Sequence, residues 1–288
     1  MKTLRTMLFM PGNNPGMLVS ADNLEADAII YDLEDAVSTS QKDAARDLIA
    51  SALRTLSYKN SVVTVRINPT DSPYWKDDIR AIIPAGPDGL VIPKSNKDTA
   101  KEVFDFIDEF TKENNIENNL KYYMLVESAR GILELEDIVK ESDRIEGLLL
   151  GAEDYSVDMQ VKRTEGSEEI AFARYRIVTV AKAYGLNAID TPFTDIDNMD
   201  GLKRDTKFVK TIGFNGRLIV GPRQVFAVNE MFSPTQAEIE DAKVIISQAE
   251  EAERKGLGVF SFRGKMVDKP IITRSENLLK SAKEWGLI

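Results

Sequence analysis

The chain has 288 residues, 43% hydrophobic and 29% charged, and 37 basic against 47 acidic side chains leave a formal charge of −10. A chain this long buries roughly three quarters of its unfolded surface and folds without disulfides, and its acidity disfavours a nucleic-acid backbone as partner. It contains no Cys and no His, which excludes thiolate chemistry, Ser-His-Asp triads and His-ligated metals.

In chain order, Met1–Gly12 is broken by Pro11-Gly12 too early for a secretory signal. No apolar run reaches the roughly 18 residues of a membrane helix, so a cytoplasmic protein is expected. Short Ile/Val/Leu/Tyr-rich runs then recur. They are Thr6–Met10, Ala28–Leu33, Val62–Ile67, Gly89–Ile92, Tyr122–Val126, Gly147–Leu150, Ala188–Thr191 and Arg217–Val220. Such runs suit parallel strands buried on both faces.

Helical patterns lie between them. Ser40 with Asp43 predicts an N-terminus, followed by an apolar stripe of Ala45, Leu48, Ile49, Ala52, Leu53 and Leu56. Residues 98–110, 132–140, 168–184 and 200–212 read similarly. Thr235 with Glu238 predicts a capping box, and Gly256 a helix stop. Eight strands alternating with helices predict a (β/α)8 TIM barrel over residues 1–256. The alternative is an open doubly wound sheet. Its usual Gly-rich phosphate turn is absent after the first strand, where Pro11-Gly12-Asn13-Asn14-Pro15 stands. Residues 257–288 predict a C-terminal extension of hairpin plus helix. Its strands are Val259–Phe262 and Lys265–Val267, joined by Arg263-Gly264.

In such a barrel the active site lies at the carboxyl ends of the strands. Polar residues collect there: Asp32, Glu34 and Asp35; Arg66 and Asn68; Lys94; Glu127, Ser128 and Arg130; Glu153 and Asp154. Glu127 and Asp154 fall at the ends of neighbouring candidate strands, about 4.8 Å apart in a sheet. Two carboxylates there can share a hard cation, most simply Mg²⁺ with several waters. The plainer reading is a pair of structural carboxylates. Arg66 offers a planar fork for a substrate carboxylate, or an ion pair with Glu34 or Asp35. A cation, an Arg and several carboxylates suit chemistry at a 2-keto or 3-hydroxy acid, as in metal-dependent aldol or Claisen cleavage, with the metal polarising the carbonyl or hydroxyl oxygen. Lys94 offers a rival Schiff base, but is read as a surface lysine or a phosphate contact.

Six segments carry a resemblance. They are Met7–Pro15 (MLFMPGNNP), Tyr31–Val37 (YDLEDAV), Val65–Asn68 (VRIN), Val126–Ala129 (VESA), Gly151–Tyr155 (GAEDY) and Gly264–Pro270 (GKMVDKP). With them the chain, from about Arg5 to the C-terminus, resembles the citrate lyase β-subunits of the HpcH/HpaI-like, malyl-CoA-lyase-like barrel family. The first and last segments, with Asp195–Asn198, resemble those subunits in particular.

The resemblance implies a trimer-forming barrel that cleaves a citryl thioester to oxaloacetate and an acetyl thioester. It implies acyl-carrier and transferase subunits as partners. It implies Mg²⁺ on Glu127 and Asp154, Glu127 and Arg66 at the substrate, and Glu34 and Asp35 near the metal's waters. Asp268 is implied as a catalytic group supplied to a neighbouring subunit. One departure is Gly221, where relatives carry Asn or His before Pro-Arg-Gln. Two rivals stand beside this reading. One is a stand-alone lyase or thioesterase acting on citramalyl-CoA, malyl-CoA or a related acyl-CoA. The other is a catalytically silent scaffold barrel, which the intact set Arg66, Glu127, Asp154 and Asp268 opposes.

Overall fold

The computed structural model describes residues 3–288; Met1 and Lys2, the start of the stretch read for a signal, lie outside the described residues. Strands and helices alternate as expected. The order is β1 (Thr6–Pro11), α1 (Pro15–Ser20), β2 (Ala28–Asp32), α2 (Lys42–Thr55), β3 (Val62–Arg66), α3 (Trp75–Ile82), β4 (Gly89–Ile92) and α4 (Lys97–Glu113). Then come β5 (Lys121–Val126), α5 (Ala129–Leu133), α6 (Leu135–Ile138), β6 (Ile145–Leu150), α7 (Ala152–Asp158), α8 (Ala171–Ala183), β7 (Asn187–Asp190) and α9 (Met199–Ile212). The chain continues through β8 (Gly216–Ile219), α10 (Pro222–Phe232), α11 (Gln236–Arg254), β9 (Phe260–Phe262), β10 (Lys265–Val267) and α12 (Lys269–Glu284).

Strands β1 to β8 close into a barrel in sequence order, all parallel, with β8 paired back to β1. Closure leaves no edge strand, so every ladder hydrogen bond is made within the chain. The open doubly wound alternative is thereby excluded. Leu4, Met7, Ala28, Ile30, Val91, Tyr123, Leu125, Leu149, Ile189 and Leu218 pack together as a buried core. In β2 all five residues are buried. This is why the strands read as continuous apolar runs rather than as alternating patterns. Strand ends differ from expectation by a residue or two. Asn187 and Gly216 join strands β7 and β8, while Leu33, Ile67 and Val220 fall outside them.

The predicted helices form, with two local departures. Ser40 is not a cap: a 3-10 turn at Thr39–Gln41 leads into α2, Gln41 holds the cap position, and no side chain caps it. The pattern read over 132–140 divides into α5 and α6. Elsewhere capping follows the expected chemistry, with Asn14, Asn96, Ser128 and Asn198 each accepting a main-chain N–H. Thr235 and Glu238 form the complete capping box.

By contact density the chain divides into two compact units. One is Leu4–Asn229; the other is Glu230–Ile288 together with Thr3. The second unit begins within α10, and α11 groups with the tail. In that unit α11 packs on α12, and β9 pairs with β10 antiparallel. Arg263 and Gly264 join the hairpin strands with φ of 48° and 76°. Paired positive φ values match the right-handed twist of a two-residue hairpin, and Gly adopts them without strain.

Candidate active site

At the carboxyl ends of the barrel strands a cavity of about 410 Å³ opens. Asp32, Asp35, Arg66, Glu127 and Asp154 line it, with Phe9, Leu125, Leu218 and Val220 as apolar wall. The fold brings these residues together by register. Asp32 ends β2 and Arg66 ends β3, and the two are direct partners across the ladder. Direct partners point to the same face of a sheet, so their side chains meet.

They meet through two hydrogen bonds. Arg66 Nε donates to Asp32 Oδ1 and Nη2 to Oδ2, each at 2.7 Å. Nη1 lies 2.7 Å from Glu34 Oε2, without hydrogen-bond alignment, and 3.9 Å from Asp35. The Phe9 ring covers the guanidinium, 4.8 Å from its carbon. The ion pair expected with Glu34 or Asp35 therefore exists, but Asp32 is the dominant partner. The fork read at Arg66 is already engaged by Asp32 along its Nε–Nη2 edge. Burial alone would weaken this cation; the hydrogen bonds and charge of Asp32 outweigh it and hold Arg66 charged.

Glu34 is 5% exposed. Burial pushes its carboxyl up to about 8, opposed by Arg66 and reinforced by the charges of Glu127, Asp35 and Asp32. Asp35 points into the cavity with three quarters of its side chain exposed. Behind this turn Lys42 donates from Nζ to the carbonyls of Leu33 and Glu34, at 2.8 Å each.

Glu127 follows β5 directly and is 5% exposed. Its Oε1 accepts the main-chain N–H of Lys94 at 2.6 Å. Burial pushes its carboxyl up to about 7; the Lys94 bond opposes this and the Asp154 charge adds to it. Asp154 is displaced from its expected place. It lies in the first turn of α7 rather than at the strand end, and it is exposed. A second cavity, of about 360 Å³, shares Glu127 and Asp154 and adds Asp71, Lys94, Asn96 and Asp158.

Could these residues hold a hard cation? Among the described residues no group of three or more His, Cys, Asp or Glu side chains is arranged to bind a metal. Of the carboxylates lining the cavity, Glu127 and Asp154 form the candidate pair: Glu127 is raised by its burial and further by the Asp154 charge. Mg²⁺ is commonly held by one or two carboxylates with waters completing its shell, so the donor set fits that ion and no richer one.

The remaining sequence expectations separate. Lys94 has a half-exposed side chain 3.8 Å from Asp71, and its backbone has φ of 46°. The strain sits where its N–H reaches Glu127, and the ammonium lies at the exposed rim beside Asp71. Ser128 caps α5. Asn68 is bound through its main chain and side chain to Asp78, which also accepts from Arg46. Asp268 stands at the N-cap of α12, partly exposed, making no capping bond. Gly221 has no positive φ. A Cβ there would meet Ile196 at 3.4 Å and Gln224 at 3.8 Å, ordinary contacts, so glycine is not required. Sequence reasoning placed Asp32 at the strand end but missed its pairing with Arg66, and it missed Lys42 altogether. Asp32 stood within the YDLED segment, and Lys42 carried no signal at all.

Residues 5–222 match the HpcH/HpaI aldolase/citrate lyase family. Citrate lyase subunit beta of Leuconostoc mesenteroides subsp. cremoris is 40% identical over 99% of this chain and 95% of the relative. The mouse mitochondrial citramalyl-CoA lyase is 29% identical over 96% and 86%. Among solved structures, protein CitE from Mycobacterium tuberculosis, in complex with magnesium, acetoacetate and coenzyme A, superposes with a TM-score of 0.78. It is 25% identical and the match covers 98% of each chain. The citrate lyase beta subunit of M. tuberculosis complexed with oxaloacetate and magnesium gives 0.68, at 26% identity over 81% of this chain and 98% of that one. By family match, full-length relatives and closed barrel together, the chain belongs to the HpcH/HpaI aldolase/citrate lyase family.

Proposed function

We propose that this chain is a Mg²⁺-dependent carbon–carbon lyase that cleaves a citryl thioester to oxaloacetate and an acetyl thioester. The observation that carries the reading is the convergence of Arg66, Asp35, Glu127 and Asp154 on one cavity at the barrel's carboxyl end. Relatives named citrate lyase subunit beta, matching nearly end to end, support it. The citramalyl-CoA lyases are more distant, which favours citryl over citramalyl thioesters.

Glu127 and Asp154 are the groups that would hold Mg²⁺. When bound, the ion supplies Lewis-acid polarisation of the substrate's hydroxyl and developing keto oxygen. Arg66 binds a carboxylate of the oxaloacetate half through the N–H groups that Asp32 leaves open. The hydroxyl proton of the citryl group is lost on the Glu34–Asp35 side. The adjacent carbon–carbon bond breaks, its electron pair passing to the thioester enolate. That enolate must gain a proton at carbon to become the acetyl thioester. Asp268, contributed by a neighbouring subunit of a homotrimer, is the proposed donor; residues 257–288 would then pack on or over that neighbour. Carrier and transferase subunits would present the thioester in the cytoplasm. Among the described residues no helix is long and apolar enough to cross a membrane.

The test is an assay with citryl-CoA, malyl-CoA and citramalyl-CoA, following the oxo acid each would release (oxaloacetate, glyoxylate or pyruvate) by coupled reduction. Oxaloacetate release from citryl-CoA that stops in excess EDTA is expected. Full activity in EDTA, or preference for another thioester, would refute the metal or the substrate respectively. Borohydride added with substrate should trap no adduct on Lys94.

A further inference from the structure

We infer that Asp32 is a positioning residue of this site: it sets the orientation of Arg66 and of the 33–36 turn without itself touching substrate. The inference rests on the lyase reading above. Asp32 is 1% exposed, and both its oxygens are fully engaged. Oδ1 accepts from Arg66 Nε at 2.7 Å and from the Glu34 N–H at 2.9 Å. Oδ2 accepts from Arg66 Nη2 at 2.7 Å and from the Ala36 N–H at 3.0 Å. A carboxylate offers about four lone-pair sites. All four are taken, so Asp32 has none left for a ligand or a cation, although it forms part of the cavity wall.

Three consequences follow from this saturation. Asp32 occupies the side-on edge of the guanidinium, so an incoming carboxylate meets only the hydrogens of Nη1 and Nη2 that point away from it, on the side where Glu34 Oε2 lies 2.7 Å from Nη1. The Asp32 charge compensates Arg66 within the buried pair, so Arg66 acts through direction more than through net charge. Finally, the same two oxygens hold the main chain at Glu34 and Ala36. Arg66 and Glu34 are therefore oriented as one unit. Lys42 closes the arrangement from behind by gripping the carbonyls of Leu33 and Glu34, and Phe9 limits tilting of the guanidinium plane.

The test is a double-mutant cycle in the full chain, using Asp32→Asn and Arg66→Lys with citryl-CoA and Mg²⁺. In the wild-type background Asp32→Asn should lower kcat about 10- to 100-fold, the scale of a misplaced catalytic group. KM should stay within about twofold, because losing the competing negative charge offsets the loss of orientation. In the Arg66→Lys background the same substitution should change kcat by about twofold or less, since residues acting through one another are not additive. Circular dichroism checks folding. If the Asn variant does not fold, Asp32→Glu, which keeps the charge but displaces the carboxylate, should give the same pattern. Equal losses in both backgrounds, or an unchanged kcat, would overturn the positioning role while leaving the lyase reading intact. Absence of citryl-CoA cleavage by the wild-type chain would overturn both.

Discussion

Gly151 lies so close to the Glu127 side chain that a Cβ at position 151 would stand 2.8 Å from Glu127 Cβ and nearer still to its Oε2. Both residues directly follow barrel strands, and Val126 and Leu150, just before them, are ladder partners. Turning the carboxylate away relieves the Oε2 contact, and the Cβ contact is relieved only by a backbone shift that carries Glu127 with it. Gly151→Ala is expected to displace Glu127 and raise the Mg²⁺ concentration for half-maximal activity by about 10- to 100-fold, the usual cost of losing ligand orientation. A magnesium titration of turnover measures it. An unaltered midpoint would mean that Glu127 does not govern the metal.

The buried carboxyls make stability depend on pH. Glu34 and Glu127 have folded-state pKa values of about 8 and about 7, both above the ordinary 4.5. Between these limits the folded chain holds protons that the unfolded chain has released, so stability falls as pH rises. Their contribution is fully present below 4.5 and is lost as pH rises through about 7 and then about 8. The urea midpoint of the metal-free chain should therefore decline over that window, and Glu34→Gln should flatten the decline. A parallel curve for the variant would assign the slope to other groups.

Arg66→Lys replaces a planar donor array with a point charge. The Nε–Nη2 pair to Asp32 is lost together with the proposed contact to a substrate carboxylate. A charge-assisted contact is worth about 1.5–3 kcal/mol, so kcat/KM should fall by about 10- to 150-fold. Equal kinetics for Lys and Arg would remove the directional role.

Far from these carboxylates in sequence, a buried ionic network joins β7, β8, α8 and α9. Arg174 and Arg217 both pair with Asp190 and Asp205, and Arg217 also donates to Thr206 at 3.0 Å. Arg174, Arg217 and Asp190 are all 0% exposed. Arg217→Met removes one cation and leaves buried carboxylates undercompensated. Breaking a buried pair this way costs about 3–5 kcal/mol. Denaturant unfolding with saturating Mg²⁺ should register that loss; a change below about 1 kcal/mol would show that Arg174 suffices alone.

Asp268 is testable by mixing. Asp268→Asn and Glu127→Ala chains should each be nearly inactive. Subunit exchange should restore part of the activity, because some mixed sites pair an intact Glu127 with an intact Asp268. Full activity of Asp268→Asn alone would end its catalytic role. Inactivity that mixing cannot relieve, despite demonstrated exchange, would place Asp268 within its own chain's site.

The barrel was legible because its signal is local and repeated. Apolar runs such as Ile29-Ile30-Tyr31 and Val63-Thr64-Val65 are strands in nearly any context that buries both faces. Closure then follows from eight βα repeats. The site's position was legible for the same reason, since Arg66 and Glu127 fall at or just after strand ends whatever the packing. Partners were not legible, because they depend on register and on side chains distant in sequence. Asp32 and Arg66 are 34 residues apart, and only the β2–β3 ladder makes them neighbours.

Helix α2 makes the contrast plain. Its sequence stripe was drawn through apolar residues, yet Lys42 and Arg46 lie on the buried side, while Leu48 and Leu53 are only partly covered. Charged side chains are buried when partners wait for them. The Leu33 and Glu34 carbonyls receive Lys42, and Asp78 receives Arg46. The sequence by itself determined that strands and helices alternate, and that carboxylates and arginines gather at the strand ends, because periodicity and residue type act over a few neighbours. Tertiary structure alone decided which charge meets which. Burial raises the cost of an unpaired charge to several kcal/mol, and only the closed barrel sets which groups are buried together.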